Sequence, residues 1–272
     1  MTLKGRSLLL MAAHEPDRAK PLRVGIITQE DPFYVYEFFD AFVNDACLPQ
    51  TAEIVKVLIQ HAFRESKWKL AKRMLGFWGL AGFFRLCWQY VLMRLTGRSC
   101  RSVLEKAGTV CEEVPDVNAP ACVAALRKLD LDVILSVAAP QIFKEPLLSV
   151  PRWGCINSHS GPLPRYRGMM PTFWQMFYGE KQIGVTVHRM TKNIDGGEIL
   201  RQEFTDLRPG QSLHEVIART KRMSARMVRE TLEAIRDGRV ERRPMDMTQA
   251  SYFTFPKPED TRKFRKSGLR LR

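Results

Sequence analysis

Three short apolar runs constrain the fold of this chain more than any other feature. They occupy residues 22–28, 132–138 and 154–157, while residues 33–47 and 118–129 have helical periodicity. Continuous apolar runs of this length are typical of strands that are buried on both faces of a parallel sheet. The alternation of strands with helices therefore predicts an α/β fold with a doubly wound, mostly parallel sheet.

The remaining pattern completes a domain plan. We expect another strand at 52–60, an alternating pair at 183–190 and 198–204, and helices at 171–178 and 212–237. Residues 1–21 are predicted to be a disordered leader, and 22–207 the domain that carries the site. Residues 208–272 are predicted to be a C-terminal helix followed by an extended, partly disordered basic tail.

The charge balance favours anionic partners. Forty-three Lys and Arg against 29 Asp and Glu give a net charge of +14, which suits nucleic acid, phospholipid headgroups or a phosphorylated substrate. The six cysteines lack the spacing of a zinc site, so no metal is expected. No export signal is evident, so we expect reduced thiols and a cytoplasmic location.

Residues 64–101 form a basic, aromatic insertion. They contain nine basic residues, one acid and seven aromatic residues. Arg85, Gln89 and Arg94 interrupt the apolar stretch, which excludes a membrane span. A core or homodimer-interface helix is the favoured interpretation. A helix lying peripherally in a membrane interface, here the inner membrane surface, is the second. Contact with single-stranded nucleic acid is the third and least favoured.

Two polar residues follow the strand at 154–157 in a pattern that suits acyl chemistry. Asn157 and His159 are two positions apart, so they face the same side of an extended backbone. They stand where a parallel strand ends, which is where open α/β sheets bind ligands. An amide can donate to a developing oxyanion, and an imidazole can take a proton from an attacking amine.

Asp195 is the candidate carboxylate that orients the imidazole or relays the proton. It lies in a Gly-bearing loop between the two alternating strands. An isolated Asn-x-His is more often a capped loop than a catalytic pair, and an Asp before Gly is often a turn residue. The combination of both with the segment Leu163-Pro-Arg-Tyr-Arg-Gly168 favours a catalytic site.

These motifs, together with Gly184-Val-Thr-Val-His188 and Asp195-Gly-Gly197, resemble the formyltetrahydrofolate-dependent formyltransferases. The resemblance covers roughly residues 22–207. It implies a Rossmann-like formyltransferase fold with a short C-terminal extension and N10-formyltetrahydrofolate as co-substrate. It also implies that Asn157, His159 and Asp195 are catalytic and that His188 is structural. Many members have a serine two residues after the histidine, whereas this chain has Gly161 there.

The resemblance also implies binding residues and a choice of acceptors. Cofactor-binding residues would be Ala139, Pro140, Gln141, Ile142, Asn193 and Ile194, and substrate-binding residues Thr28, Gln29 and Tyr166. The acidic segment 28–32 is a poor phosphate cradle, which disfavours glycinamide ribonucleotide. We expect a primary amine on a nucleotide- or lipid-linked amino sugar. The alternatives are methionyl-tRNA and, as in a deformylase, water.

Overall fold

The computed structural model describes residues 20–31, 33–60 and 67–272. The predicted leader lies outside these ranges except for its last two residues. In the described chain, seven strands form one sheet in the order β3-β2-β1-β4-β5-β7-β8. The strands are β1 (Leu22–Gln29), β2 (Ala52–Gln60), β3 (Cys111–Glu113), β4 (Val133–Val137), β5 (Gly154–His159), β6 (Arg167–Gly168), β7 (Gln182–Arg189), β8 (Ile199–Asp206) and β9 (Tyr252–Phe253).

The helices cover both faces of this sheet, as the sequence predicts for a doubly wound fold. They are α1 (Val35–Val43), α2 (Leu48–Thr51), α3 (Lys67–Leu95), α4 (Cys100–Lys106), α5 (Pro120–Arg127), α6 (Glu145–Leu148), α7 (Pro171–Phe177), α8 (Leu213–Arg236) and α9 (Pro258–Lys266). The predicted mostly parallel sheet is confirmed: β3, β2, β1, β4 and β5 pair in parallel, and β7 and β8 add an antiparallel edge.

Three apolar clusters hold the layers together. The first packs α1 and α8 on one face of the sheet and includes Phe38, Phe42 and Leu232. The third lies under α5 and α6 on the opposite face and includes Leu126 and Leu147. The second cluster joins parts of the chain that are distant in sequence, namely Phe77, Trp78, Tyr166, Phe173, Trp174, Leu213 and Phe264.

The expectation of an extended, partly disordered tail is wrong. Residues 252–253 form β9, which pairs with β6, and residues 258–266 form α9. Phe264 is fully buried and stacks on Phe173 with ring centroids 4.7 Å apart. A single apolar residue among Lys and Arg gives no periodic signal, so the sequence pattern does not predict the contact between Phe264 and Phe173.

The prediction of a core or interface helix for residues 64–101 holds for only part of that segment. Residues 61–66 lie outside the described ranges. Phe77 and Trp78 are buried in the second cluster, while Leu80, Phe84 and Trp88 are more than 60% exposed. No helix within the described ranges combines the length and apolar character needed to cross a membrane.

Candidate active site

The carboxyl end of β5 places two side chains of the predicted constellation in one cavity. Asn157 and His159 both line a cavity of about 560 Å³ at the end of the sheet, together with Asp195 from the loop between β7 and β8. Ligand pockets in proteins are commonly of this size, and open α/β sheets bind ligands at this edge. The three predicted catalytic residues are therefore neighbours in space.

Local backbone geometry fixes the position of Asp195. Its φ angle is +47°, in the left-handed region that Asp tolerates better than most residues. One carboxylate oxygen, Oδ2, accepts the backbone N–H of Gly168 at 3.0 Å. A side chain at Gly197 would place its Cβ 1.9 Å from the carbonyl oxygen of Arg189, so the loop needs glycine there. Oδ1 of Asp195 remains available to the cavity.

The hydrogen bonds of His159 determine which nitrogen can act as a base. Its Nε2 lies 2.8 Å from the carbonyl oxygen of Tyr166, which can only accept, so this nitrogen carries a proton. In the neutral ring Nδ1 is then the basic nitrogen. It lies 3.7 Å from Oδ1 of Asp195, and both side chains are largely buried. An imidazolium formed here would face the Asp195 carboxylate, and little solvent would screen the attraction between the two charges.

His188 orients the amide of Asn157. The two residues are cross-strand partners of β5 and β7, so their side chains lie side by side. His188 Nδ1 donates to the carbonyl oxygen of Arg189 at 3.0 Å, which leaves Nε2 as the acceptor for the Asn157 amide at 3.1 Å. Burial lowers the pKa of His188 to about 4, although Asp195 opposes the shift, so the ring is neutral at pH 7. The resemblance predicts a structural role for this histidine. The register of β5 and β7 places it opposite Asn157, and that register is the feature that indicates the contact between the two side chains.

The predicted cofactor-binding residues also lie in this cavity. Ala139, Pro140, Gln141, Ile142, Asn193 and Ile194 all line it. Their cofactor role stays a prediction, but all six line the same cavity as Asn157, His159 and Asp195. Residues 139–142 belong to the loop after β4, the strand next to β5, and residues 193–194 belong to the loop between β7 and β8. A planar heterocycle in the cavity would meet the apolar side chains of Ile142 and Met190.

The predicted substrate-binding residues stand elsewhere. Thr28 is buried and donates to the carbonyl oxygen of Val137, and Gln29 ends β1 outside the cavity lining. The ring of Tyr166 packs in the second cluster against Phe253, and its hydroxyl donates to Glu180. Only the backbone carbonyl of Tyr166 contacts the constellation, through His159.

Two lining residues were not predicted from the sequence. Lys221 of α8 is the one Lys or Arg side chain among the described residues that line the cavity. Burial lowers its pKa, while the nearby Asp31 carboxylate opposes this shift. Tyr252 comes from β9, so the C-terminal segment contributes to the wall. Both residues lie in segments whose sequence pattern indicates surface rather than site.

Sequence comparison relates the central part of the chain to a known family. Residues 105–232 match the formyl transferase family. Methionyl-tRNA formyltransferase from Thermotoga neapolitana is 34% identical over 158 residues, which is 58% of this chain and 50% of that protein. The enzyme of the same name from Geobacter metallireducens is also 34% identical over 158 residues, with 51% of that protein covered. The chain spans about half the length of the curated relatives it matches.

Solved structures show the same fold at low identity. A sugar N-formyltransferase from Shewanella sp FDAARGOS_354 has a TM-score of 0.55 and 18% identity, covering 86% of this chain and 77% of that one. Glycinamide ribonucleotide transformylase 1 from Symbiobacterium toebii has a TM-score of 0.59 and 16% identity, covering 89% and 99%. Residues 105–232 are thus similar to the formyl transferase family, and the chain has the Rossmann-like fold of these solved structures.

Proposed function

We propose that this protein transfers a formyl group from N10-formyltetrahydrofolate to a primary amine. The observation that carries the proposal is the convergence of three groups on one cavity wall: an amide at Asn157, an imidazole at His159 and a carboxylate at Asp195. Amine attack on a formyl carbon needs a hydrogen-bond donor to the formyl oxygen and an acceptor for the amine proton. The cavity has both.

The residues present fit the folate co-substrate. The loop after β4 and residues 193–194 line one cavity with the constellation, and the volume of about 560 Å³ admits a heterocycle with its attached formyl group. When bound, the co-substrate supplies the formyl carbonyl. Ala139, Pro140, Gln141, Ile142, Asn193 and Ile194 would hold its ring system next to Asn157.

Each catalytic side chain has one task in this proposal. The Asn157 amide donates one hydrogen to His188 and directs the other to the oxygen on which negative charge develops. His159 takes the amine proton on Nδ1, because its Nε2 is already bonded to the Tyr166 carbonyl. Asp195 stabilises the resulting imidazolium from 3.7 Å. The same proton would pass to N10 of the folate as the bond between N10 and the formyl carbon breaks, so tetrahydrofolate leaves neutral. Positioning and electrostatic stabilisation supply the rate enhancement, without a covalent intermediate on the protein.

We further propose which amine accepts the formyl group. The sequence predicts an amino sugar, whereas the curated relatives described above are named methionyl-tRNA formyltransferases. The match to those relatives at 34% identity supports methionyl-tRNA ahead of the amino sugar. The net charge of +14 suits the phosphates of either acceptor.

A single assay separates these acceptors. The purified protein is incubated with N10-formyltetrahydrofolate and either methionyl-tRNA, a nucleotide-linked amino sugar, a polyprenyl-linked amino sugar or no amine, and release of tetrahydrofolate is followed. We expect turnover that requires an amine and is greatest with methionyl-tRNA. Turnover only with an amino sugar would replace the acceptor but keep the transferase.

Two variants test whether the turnover comes from this site. Asn157→Ala removes the amide donor, and we expect kcat to fall by about 10²–10³-fold, as for the loss of one oxyanion donor. Asn44→Ala is the matched control, because Asn44 is an exposed amide at the end of α1. Equal turnover without any amine would show a deformylase. Absence of turnover with every acceptor, or equal loss in both variants, would refute the proposal.

A further inference from the structure

Helix α3 consists of two halves that meet at a capped kink. Gly79 has φ +69° and ψ 174°, which interrupts the helix. The guanidinium of Arg265 in α9 donates to the carbonyl oxygens of Phe77 at 3.1 Å and Trp78 at 2.7 Å. These bonds satisfy carbonyl groups that the interrupted helix leaves without a following turn. The first half is therefore anchored to the body of the protein, and residues 80–95 form a separate second half.

The second half carries a continuous apolar stripe on its outer face. The spacing of four, four, three and four residues places these side chains on one side of a helix, and their exposed fractions are 67, 63, 64, 48 and 79% for Leu80, Phe84, Trp88, Val91 and Leu95. The inner face already has partners: Leu86 packs against the second cluster, and Gln89 accepts from Arg272. A contiguous exposed stripe of this kind marks an interaction surface.

The charge around the stripe identifies its partner. Residues 67–104 contain eight Lys and Arg but no Asp or Glu. Arg85 and Arg94 are exposed on the second half of α3 itself. A cavity of about 510 Å³ beside Leu80 is lined by further arginines, namely Arg265, Arg270 and Arg272. A second copy of this chain would bring the same positive charge to the contact, which opposes self-association through this face.

An anionic bilayer has the complementary composition, with negative headgroups above an apolar interior. We propose that the outer face of residues 80–95 lies in the interface of an anionic phospholipid bilayer. Leu80, Phe84 and Trp88 enter the acyl boundary, and the exposed Arg85 and Arg94 contact lipid phosphates. The helix lies along the surface, because the arginines interrupt an apolar stretch that is too short to cross the bilayer. This inference is independent of which amine the protein formylates.

Vesicle flotation with the full chain tests the inference. The protein is mixed with vesicles of phosphatidylcholine alone or of equal parts phosphatidylcholine and phosphatidylglycerol, at low and high NaCl. We expect binding to the anionic vesicles that weakens with salt. The variant Phe84→Ser/Trp88→Ser should raise the lipid concentration for half-binding by at least about tenfold, because two large apolar contacts are lost.

The matched control changes apolar residues of similar exposure away from α3. Val110→Ser/Phe204→Ser removes side chains that are 65 and 47% exposed, and its binding should equal that of the unmodified protein. A third variant, Leu95→Glu, changes only the most exposed position of the stripe, so it tests the same contact with least effect on folding. Equal retention of vesicle binding by the stripe variants and the control would overturn the inference.

Two further outcomes count against the proposal. If sedimentation velocity without lipid shows a dimer that Phe84→Ser/Trp88→Ser converts to a monomer, the stripe is a contact between copies of the chain. If the unmodified protein binds neither vesicle type, the stripe does not contact lipid. Near-UV circular dichroism of every variant establishes that the loss of binding is not a loss of fold.

Discussion

The pairing of His159 with Asp195 yields the most specific prediction of the site. Asp195→Asn keeps the size and the backbone tolerance of the side chain, and its amide oxygen can still accept from Gly168. The negative charge 3.7 Å from Nδ1 of His159 is lost. At an effective dielectric constant of about 20, a charge pair at this separation is worth roughly 4 kcal/mol. Because each 1.36 kcal/mol changes a rate tenfold, kcat should fall by about 10³-fold.

The assay is amine-dependent release of tetrahydrofolate, from which kcat is obtained for the variant and for the unmodified protein. Asp130→Asn is the matched control: Asp130 also has a positive φ angle, but it is exposed and pairs with Arg152 outside the cavity. If Asp195→Asn kept more than a tenth of the activity, the proposed role of the carboxylate would be wrong.

Three other predictions concern residues that hold the site and the fold in place. Burial lowers the pKa of His188 to about 4 in the folded protein. As the pH falls, the unfolded protein therefore binds a proton at this residue before the folded protein does. The free energy of unfolding should therefore fall by about 3 kcal/mol as pH drops from 7 to 4, and His188→Gln should remove this dependence in urea titrations. Gly197→Ala meets a backbone carbonyl 1.9 Å away; we expect at least about tenfold lower kcat and about 1–3 kcal/mol lower stability. Gly210→Asn is the control for kcat, which it should leave unchanged, because Gly210 is in open space and Asn tolerates its φ of +73° better than other residues do. Phe264→Ala should cost about 3–5 kcal/mol in chemical denaturation because the ring is fully buried, and Arg262→Ala on the exposed face of the same helix should cost almost nothing.

The strand pattern and the shared location of Asn157, His159 and Asp195 were predictable from the sequence. The apolar runs at 22–28, 132–138 and 154–157 correspond to β1, β4 and β5. Asn157 and His159 stand at a strand end, and that location alone predicts a position in a ligand site. Local periodicity and the known geometry of parallel sheets are sufficient for these inferences.

Contacts between distant segments were not predictable. The bond from Arg265 to the Phe77 carbonyl joins residues 188 positions apart, and no local pattern encodes it. Strand β9 has two residues, which is too short for an alternating signal. Tyr166 resembles a binding residue in its motif, yet its ring turns toward Phe253 because the second cluster offers more apolar contact.

The pairing of β6 with β9 forms late during synthesis of the chain. The Tyr166 backbone N–H donates to Ser251, which the ribosome adds 85 residues later. At about 5–20 residues per second, this delay lasts roughly ten seconds. During that interval the nascent chain lacks the strand that pairs with residues 167–168, and Trp174 lacks its stacking partner Phe253. The aromatic rings of the second cluster therefore lack part of their apolar cover until residue 253 has been translated.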